Sequence, residues 1–492
     1  MDSSELRDFR QFLKYQIRNE DNSSLMKLFS LLRTYHPNFE SKGLNKERIF
    51  SKLFPSDSFQ DRKLWDVLSN LSIKLEEFLI INEVKSNPYL KQKLLSQTFR
   101  RRNLYSLFVR NSNAFIKKLE KETAKDKETY FKLTELYHSL FFHTNNPKFR
   151  TSEENLPAMM KNLDLFYSLS KMHYSCELIA RGKYLNQDYE IKLLDEVPQV
   201  VENSMLKEHP LFSIYLNMTK MFLNGDDDEY YVKVKDIFLK ETKKIKKNEQ
   251  QTILVFLLNH AIRMTNKGNY EYHKDILVLY KYGLKSELLI EHGRIGDENF
   301  TNIAVIGAFQ KDLDWTKKFI KKYSNFLDSS NKENAIKLSW GYWHFYNASS
   351  SGSPKDFEQT IKLLQELDFN QITYGLRARS LLLRTYYEFY LRKTEHDNFQ
   401  FIQYFALAFE KYIKRNKTLS PSKRKEYLNL ISIVKKMTVI KYKIFYKIEK
   451  VNFKMIKSLN KILKEMGHST TRHWIEEKIV ILNQLFIDSK EQ

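Results

Sequence analysis

The sequence predicts an all-α fold, an α-solenoid of antiparallel helix pairs, and three observations support this prediction. Apolar residues recur at steps of three and four along most of the chain, which is the period of an amphipathic helix. Glycine and proline, the residues that break helices, number only 12 and 9 among 492 residues. The breaks between the apolar stretches are short and polar, and none has the length of a linker between separate domains.

The individual helices follow from stripes and breaks in order along the chain. A stripe of apolar residues from Leu64 to Leu79 predicts a helix. This helix is predicted to end before Asn87-Pro88, because the residue before a proline avoids helical geometry. One long helix is predicted from Met159 to Ala180. Ser353-Pro354 and Ser420-Pro421 each place a hydroxyl at the cap position and a proline at the first helical position. A helix is therefore predicted to begin at each of these prolines.

The breaks divide the chain into four predicted regions of one continuous solenoid. These regions are an N-terminal helical region at 1–150, a middle helical region at 151–295, a set of helix pairs at 296–415 and a basic C-terminal helical cap at 416–492.

The helices between Asn299 and Arg415 are predicted to form three pairs. The predicted pairs are Phe300–Phe309 with Trp315–Phe326, Asn334–Tyr346 with Phe357–Leu367, and Tyr374–Leu391 with Phe399–Ile413. Successive pairs begin about 34 residues apart and then about 40 residues apart across a polar insertion at Ser349–Ser353, and this period is typical of tetratricopeptide repeats. The region is therefore predicted to be tetratricopeptide-like.

Small residues support the predicted pairing. Ala304, Gly307 and Gly341 stand where paired helices must approach each other closely. Thr316 and Thr360 depart from the repeat consensus, because alanine is usual at these positions. The sequence therefore predicts helix pairs of this kind with a local deviation at two positions.

Three segments of the chain carry a resemblance to known sequences. They read NLDLFYSLSKMHYSCELIAR (162–181), FTNIAVIGAFQKDLDWTKKFIKKY (300–323) and RARSLLLRTYYEFYL (377–391). With these segments, nearly the whole chain resembles a large set of uncharacterised helical-repeat proteins of the Bacteroidota. The resemblance implies a tetratricopeptide-like fold, and it implies no activity, cofactor or catalytic residue.

The sequence also favours a cytoplasmic location. Its single cysteine, Cys176, excludes an intrachain disulfide and a zinc site built from cysteines, which fits a reducing compartment. The segment Met1–Asp8 carries charges where a signal peptide would need an apolar core. The longest apolar stretch, Thr252–Ile262, is about half as long as a membrane span, so no transmembrane segment is expected.

Positive charge is concentrated toward the end of the sequence. Residues 411–464 contain 17 lysines or arginines and two acids, so they supply +15 of the net charge of +22. Lysines recur there at steps of four and three, which would place them along one side of a single helix. This lysine ridge comprises Lys443, Lys447, Lys450, Lys454, Lys457, Lys461 and Lys464. The apolar stripe from Met437 to Ile462 would pack that helix on the rest of the protein.

The lysine ridge has alternative interpretations. A row of cations suits the phosphate backbone of a nucleic acid, an acidic protein or anionic lipid head groups. Alternatively, the lysines form a solvated face or pair with acids elsewhere, and the basic composition reflects the codon usage of an A+T-rich genome. Aromatic residues interleave with the lysines and could stack on bases, although their helical spacing is also that of core residues.

No catalytic, cofactor or metal site is expected. The sequence contains no GxxxxGK[ST] or GxGxxG phosphate-binding run and no HExxH zinc motif. Glu135 and His138 lie one helical turn apart, as a helical metal site requires, but no second such pair accompanies them. Structural roles are predicted for five groups: Glu135 with His138, His468 with His473, Asp226–Glu229, Lys243–Lys247, and Cys176.

Two functions are compatible with these observations. The first is a non-catalytic scaffold that binds a protein or peptide along stacked helix pairs, with Tyr342, Tyr346 and Tyr387 as candidate groove residues. The alternative is a module that binds nucleic acid or another anionic partner through residues 411–464.

Overall fold

In a computed structural model, all residues are described except 1, 17–22, 38, 40–43, 144–153, 186, 226, 328–330, 368–370, 393–395, 417, 447–452, 467–469 and 492. Side chains are likewise not described for residues 184, 205, 396, 453, 454, 470, 490 and 491. The described residues form 22 α-helices, joined by turns and short 3₁₀ segments, and no β-strand. The predicted all-α fold class is therefore confirmed.

The helices belong to two compact units. The first unit contains Met1–Thr123 and Lys127–Tyr167, and the second contains Ala124–Asp126 and Ser168–Gln492. The main division falls inside the predicted middle region 151–295. The four predicted regions and the continuous solenoid stay predictions.

The first unit contains seven α-helices and the beginning of an eighth. They are α1 (Ser3–Gln16), α2 (Ser24–Arg33), α3 (Lys46–Leu53), α4 (Asp61–Ser86), α5 (Pro88–Arg101), α6 (Tyr105–Glu120), α7 (Lys127–Phe141) and α8 (Asn155–Leu185). In its core, Phe9 lies 5.2 Å from both Phe29 and Phe78, measured between ring centroids, so α1, α2 and α4 each contribute a ring. The side chain of Asn87 caps α5, which confirms the predicted break at Asn87-Pro88.

The second unit contains the rest of α8 and fourteen further α-helices. These are α9 (Glu196–Glu202), α10 (Pro210–Leu223), α11 (Asp228–Lys240), α12 (Lys247–Asn266), α13 (Tyr272–Lys285), α14 (Asp297–Phe309), α15 (Leu313–Tyr323), α16 (Lys332–Ser351), α17 (Pro354–Gln365), α18 (Ile372–Arg392), α19 (His396–Arg415), α20 (Pro421–Tyr446), α21 (Phe453–Lys464) and α22 (Thr470–Glu491). The helices predicted to begin at Pro354 and Pro421 are α17 and α20.

Six of these helices, α14 to α19, lie at the positions predicted for the three pairs. Within each pair the two helices contact each other, as α14 does with α15, α16 with α17 and α18 with α19. The first helices also contact one another in succession, because α16 touches both α14 and α18. This order of contacts is the one expected when neighbouring repeats bury their apolar faces against each other.

Small residues allow the close approach within the pairs. A Cβ atom at Gly307 would overlap the Thr316 hydroxyl and come within 3.1 Å of the Trp315 ring. Across the next pair, the Thr360 hydroxyl donates to the carbonyl oxygen of Gly341 at 3.4 Å. The absence of a side chain at Gly307 therefore leaves room for Thr316, whereas a Cβ atom at Gly341 would come within 3.0 Å of Leu364.

The prediction that a single helix carries the lysine ridge is wrong. The structure shows two helices, α20 and α21, and the ammonium group of Lys425 lies 3.4 Å from the Glu465 carboxylate. Residues that are 40 positions apart on one straight helix would be separated by about 60 Å, so α20 and α21 are two helices that lie against each other. The apolar period does not reveal this division, because each helix carries its own stripe, with Ile440 buried on α20 and Leu459 buried on α21.

Candidate functional site

The helix α22 packs against earlier helices of the second unit. Trp474 lies edge-on to Tyr387 of α18, with 5.8 Å between ring centroids. Its indole N–H donates to the carboxylate of Glu388 at 2.7 Å, a contact between residues 86 positions apart. His473 lies edge-on to Phe309 of α14 at 5.5 Å. The helix α22 thus contacts two of the three first helices of the predicted pairs.

Two of the predicted groove tyrosines are core residues. Tyr342 and Tyr387 are both buried, so neither can contact a partner, and the prediction is wrong for them. The reason is that later parts of the chain lie against them, as Trp474 does against Tyr387. Tyr346 differs, since it is partly exposed and lines a cavity.

A buried carboxylate holds α22 in place. Glu388 is 1% exposed and accepts hydrogen bonds from Trp474 and from the ammonium group of Lys478, the latter at 2.6 Å. The guanidinium of Arg392, one turn further along α18, donates to the other carboxylate oxygen at 3.0 Å. Lys478 is itself buried, so Glu388 and Lys478 are a pair removed from water, in which each partner compensates the other's desolvation.

Arg384 adds a second buried cation one turn before Glu388. It is 1% exposed, and its guanidinium carbon lies 5.2 Å from the ring of Phe345 and 6.0 Å from that of Trp474. Aromatic faces stabilise a desolvated cation through their quadrupoles. The Nε and Nη1 atoms of Arg384 make no hydrogen bond to any described residue. The group formed by Arg384, Glu388, Trp474 and Lys478 is called the α22 network below.

A cavity of about 360 Å³ lies beside the α22 network. Its walls come from the segment that leads into α13, from the ends of α14 and α16, and from the beginning of α22. The lining residues are Tyr270, His273, Phe309, Gln310, Lys311, Tyr346, Ser349, Ser350, His473, Trp474, Glu477 and Lys478. This space is called the α22 cavity below.

Two buried polar atoms of the cavity wall lack hydrogen bonds within the described structure. They are Nδ1 of His273, a residue that is 3% exposed, and the hydroxyl of Tyr346. Burial raises the pKa of Tyr346 to about 12, and the neighbouring Arg384 guanidinium offsets only part of this rise. The hydroxyl is therefore protonated at neutral pH. Burial likewise lowers the pKa of His273 to about 4, and the ring is neutral there.

Acid should destabilise the second unit through His273. The pKa of a histidine is about 6.5 in an unfolded chain, so between pH 6.5 and pH 4 the unfolded state binds a proton that the folded state excludes. Stability is therefore retained above pH 6.5 and falls as the pH drops toward 4. Between pH 7 and pH 4.5, the free energy of unfolding measured by urea denaturation should fall in both proteins. We expect the fall to be about 2 to 3 kcal/mol smaller for the His273→Phe variant than for the wild type. The exposed His292→Asn variant is the control, and an equal loss in the His273→Phe variant would contradict the assignment.

The lysine ridge is only partly described. Lys457, Lys461 and Lys464 are exposed on α21, opposite the buried Ile456 and Leu459. Lys443 is partly exposed on α20. Lys447 and Lys450 lie outside the described residues, and the side chain of Lys454 does as well.

The first unit contains the predicted pair of Glu135 and His138. The Glu135 carboxylate accepts a hydrogen bond from Tyr89 and pairs with Lys93 at 2.6 Å. Both partners lie on α5, so Glu135 links α7 to that helix. This is a structural role of the kind predicted from the sequence.

Other predicted polar groups also have structural environments. Cys176 is fully buried, which raises the pKa of its thiol to about 12, and its Sγ lies 3.4 Å from the Thr219 hydroxyl. Asp227 caps α11, as predicted for the acidic turn, while Asp226 and His468 lie outside the described residues. Among the residues that are described, no group of three or more His, Cys, Asp or Glu side chains is arranged to hold a metal ion.

A second concave surface runs between α8 and α12. This open groove has a volume of about 810 Å³ and is lined by Glu177, Ala180, Arg181, Lys183, Gln251, Thr252, Val255, Phe256, Asn259, Ile262, Arg263 and Asn266. Val255 is 46% exposed and Ile262 is 38% exposed. The two residues are seven positions apart, so they lie about 10 Å from each other on one face of α12.

Sequence reasoning missed the α22 network and both concave surfaces. One weak signal was present, because Arg384 and Glu388 lie one turn apart in the middle of a helix, where charges of opposite sign can share one face. Trp474 and Lys478 have the same spacing on α22. Helical spacing places two residues on one face, but it does not show which distant helix that face contacts.

Two further findings concern the chain as a whole. In the part that the structure describes, no helix has both the length and the apolar character needed to cross a membrane. Comparison with protein-family models, with curated proteins and with solved structures finds no match to this chain.

Proposed function

We propose that the protein is a non-catalytic helical-repeat scaffold and that a segment of a partner protein binds in the groove between α8 and α12. The observation that supports this proposal most directly is the exposure of Val255 and Ile262 along the groove. An apolar groove wall of this kind receives the apolar anchor residues of an amphipathic partner helix. The groove is long enough for such a segment, since its α12 wall extends from Gln251 to Asn266, about 22 Å.

The charges of the groove indicate the character of the partner. Three cationic residues, Arg181, Lys183 and Arg263, line it together with one acid, Glu177. Two of the cations pack their charged ends near the ring of Phe222, at 5.0 Å for Lys183 and 5.9 Å for Arg263. The complementary segment carries apolar side chains flanked by aspartate or glutamate, because charge complementarity favours association of opposite signs.

The proposal is tested by placing a photo-crosslinking amino acid at Val255. We expect one partner protein to be captured from this position, and a Val255→Asp, Ile262→Asp double variant should reduce its affinity for the purified chain at least tenfold. Val232 on α11 is the matched control, since it is also a valine on a helix of the second unit and is 47% exposed. Equal capture from Val232, or unchanged affinity of the double variant, would refute the assignment of the groove.

The exposed lysines of α21 favour a second candidate function, the binding of nucleic acid. Lys457, Lys461 and Lys464 lie on the side of α21 opposite its buried residues, so a phosphate backbone could reach all three. The affinity of such a complex decreases steeply with salt, because each phosphate contact releases a counterion.

A triple charge reversal separates this function from general basicity. If α21 binds nucleic acid, replacing Lys457, Lys461 and Lys464 by Glu should abolish binding to short DNA and RNA duplexes and single strands in fluorescence anisotropy. The matched control reverses Lys318, Lys321 and Lys322, which are exposed on α15, and so changes the net charge equally. Equal effects of the two triple variants would show that the α21 lysines act only through total charge.

A further inference from the structure

We propose that the α22 cavity binds a small aromatic carboxylate. The cavity belongs to a different part of the second unit from the groove between α8 and α12, so this inference does not rest on the proposed scaffold function. Its volume of about 360 Å³ is at the lower end of the range for small-molecule sites, which suits a ligand of one or two rings.

The walls of the cavity favour a flat, aromatic ligand. Tyr270 and His273 lie parallel to each other, with 5.8 Å between ring centroids and 6° between their planes. Phe309 lies edge-on to His273 at 4.7 Å, and Tyr346 lies edge-on to Phe309 at 5.8 Å. With His473 and Trp474 on the α22 side, six aromatic rings line the space. Ring faces and edges of this kind bind a planar aromatic group by stacking and edge-to-face contact.

Polar atoms of the wall offer hydrogen bonds to the ligand. The Tyr346 hydroxyl and Nδ1 of His273 are buried, and neither makes a hydrogen bond of ordinary geometry to a described residue, although the Arg384 guanidinium lies beside the hydroxyl. A buried polar group with poor hydrogen-bond geometry is unfavourable, so a ligand that supplies a better hydrogen bond gains binding energy. The Tyr346 hydroxyl is protonated at neutral pH and can donate to a carboxylate oxygen.

The charges around the cavity favour an anion. At the rim, Lys311 and Glu477 contribute one charge of each sign. Lys478 on the wall and Arg392 behind it pair with a single carboxylate, Glu388, and Arg384 lies one turn before Glu388 on the same helix, so positive charge is in excess. The field of Arg384 and Lys478 is weakly screened because both side chains are buried, and a ligand carboxylate in the cavity would reduce the excess.

The proposal is tested with two probes of equal shape, 2-naphthoate and its uncharged analogue 2-naphthamide. Isothermal titration calorimetry on the full chain should give a Kd of about 1 mM or lower for 2-naphthoate, as expected for a ligand of this size. The amide should bind at least tenfold more weakly, because it lacks the negative charge. Absence of saturable 2-naphthoate binding up to about 10 mM, or equal affinity for the amide, would overturn the proposal.

Variants locate the binding in the cavity. Ser350 is an exposed lining residue, and Ser350→Trp should fill the space and weaken 2-naphthoate binding at least tenfold. Ser351→Trp is the matched control, since Ser351 is the next residue, is also exposed and does not line the cavity; it should retain the wild-type Kd. Tyr346→Phe removes one hydroxyl and should raise the Kd about fivefold, the effect of one neutral hydrogen bond. Wild-type affinity in the Ser350→Trp variant would refute the cavity as the site.

Discussion

The Glu388→Gln variant is expected to lose about 3 to 5 kcal/mol of unfolding free energy, because the substitution removes one partner of a buried ion pair. The glutamine keeps an oxygen that can accept from the Trp474 indole, so the shape of the site changes little. The charge of Lys478, however, stays buried without its carboxylate, and Arg384 loses the nearest negative charge on its own helix. Urea denaturation followed by circular dichroism measures the loss as a shift of the transition to lower urea concentration.

Glu410→Gln is the matched control for this prediction. Glu410 also pairs with two lysines, Lys414 at 2.7 Å and Lys435 at 4.0 Å, but its side chain is partly exposed. Ion pairs that water reaches contribute about 0 to 1 kcal/mol, so this variant should unfold close to the wild type. If the two variants were equally stable, the Glu388 carboxylate would not be the group that holds α22.

The Trp474→Ala variant is expected to lose about 3 to 5 kcal/mol of unfolding free energy, which is the usual effect of removing a buried aromatic side chain. Trp474 is buried against Tyr387, and its ring also lies within 6.0 Å of the Arg384 guanidinium carbon. The substitution therefore opens a cavity and removes an aromatic face from a desolvated cation. The loss is measured by the same urea denaturation, and increased amide hydrogen exchange in α22 should accompany it.

Trp65→Ala provides the comparison, because Trp65 is 57% exposed and its loss creates no buried cavity. We expect a change below about 1 kcal/mol for this variant. A double variant of Glu388 and Trp474 should lose less than the two single losses combined, because the residues share one hydrogen bond. Simple additivity would show that the hydrogen bond between them contributes little.

The helices of the predicted pairs could be predicted from the sequence, because each helix has its own apolar periodicity and its own boundary residues. The segment predicted at Asn334–Tyr346, for example, lies within the helix Lys332–Ser351, whose apolar residues recur at the helical period. Glycine and proline add boundaries, as Ser353-Pro354 does at the start of α17. The tetratricopeptide-like identity of these pairs stays a prediction.

The features of the candidate sites could not be predicted in the same way, because they depend on contacts between segments that are far apart in the sequence. The division of the lysine-rich stretch into α20 and α21 was missed, since lysines and apolar residues keep their spacing along both helices. Burial of Tyr387 depends on Trp474, and neither residue marks the other in the sequence. Periodicity shows which residues share a helix face, whereas the partner of that face is decided by tertiary packing.

The long separation between Glu388 and Trp474 has a consequence for the newly made chain. A ribosome adds roughly 5 to 20 residues per second, so α18, which ends 86 residues before Lys478, is complete roughly 4 to 17 s before Lys478 is joined to the chain. The local contacts of α14 to α19 can form during this interval, because they need no later residues. Glu388 and Arg384, together with the aromatic rings around them, are then without the helix that buries them. The nascent second unit therefore passes through a stage in which a charged and aromatic surface is open to water, to chaperones and to other chains.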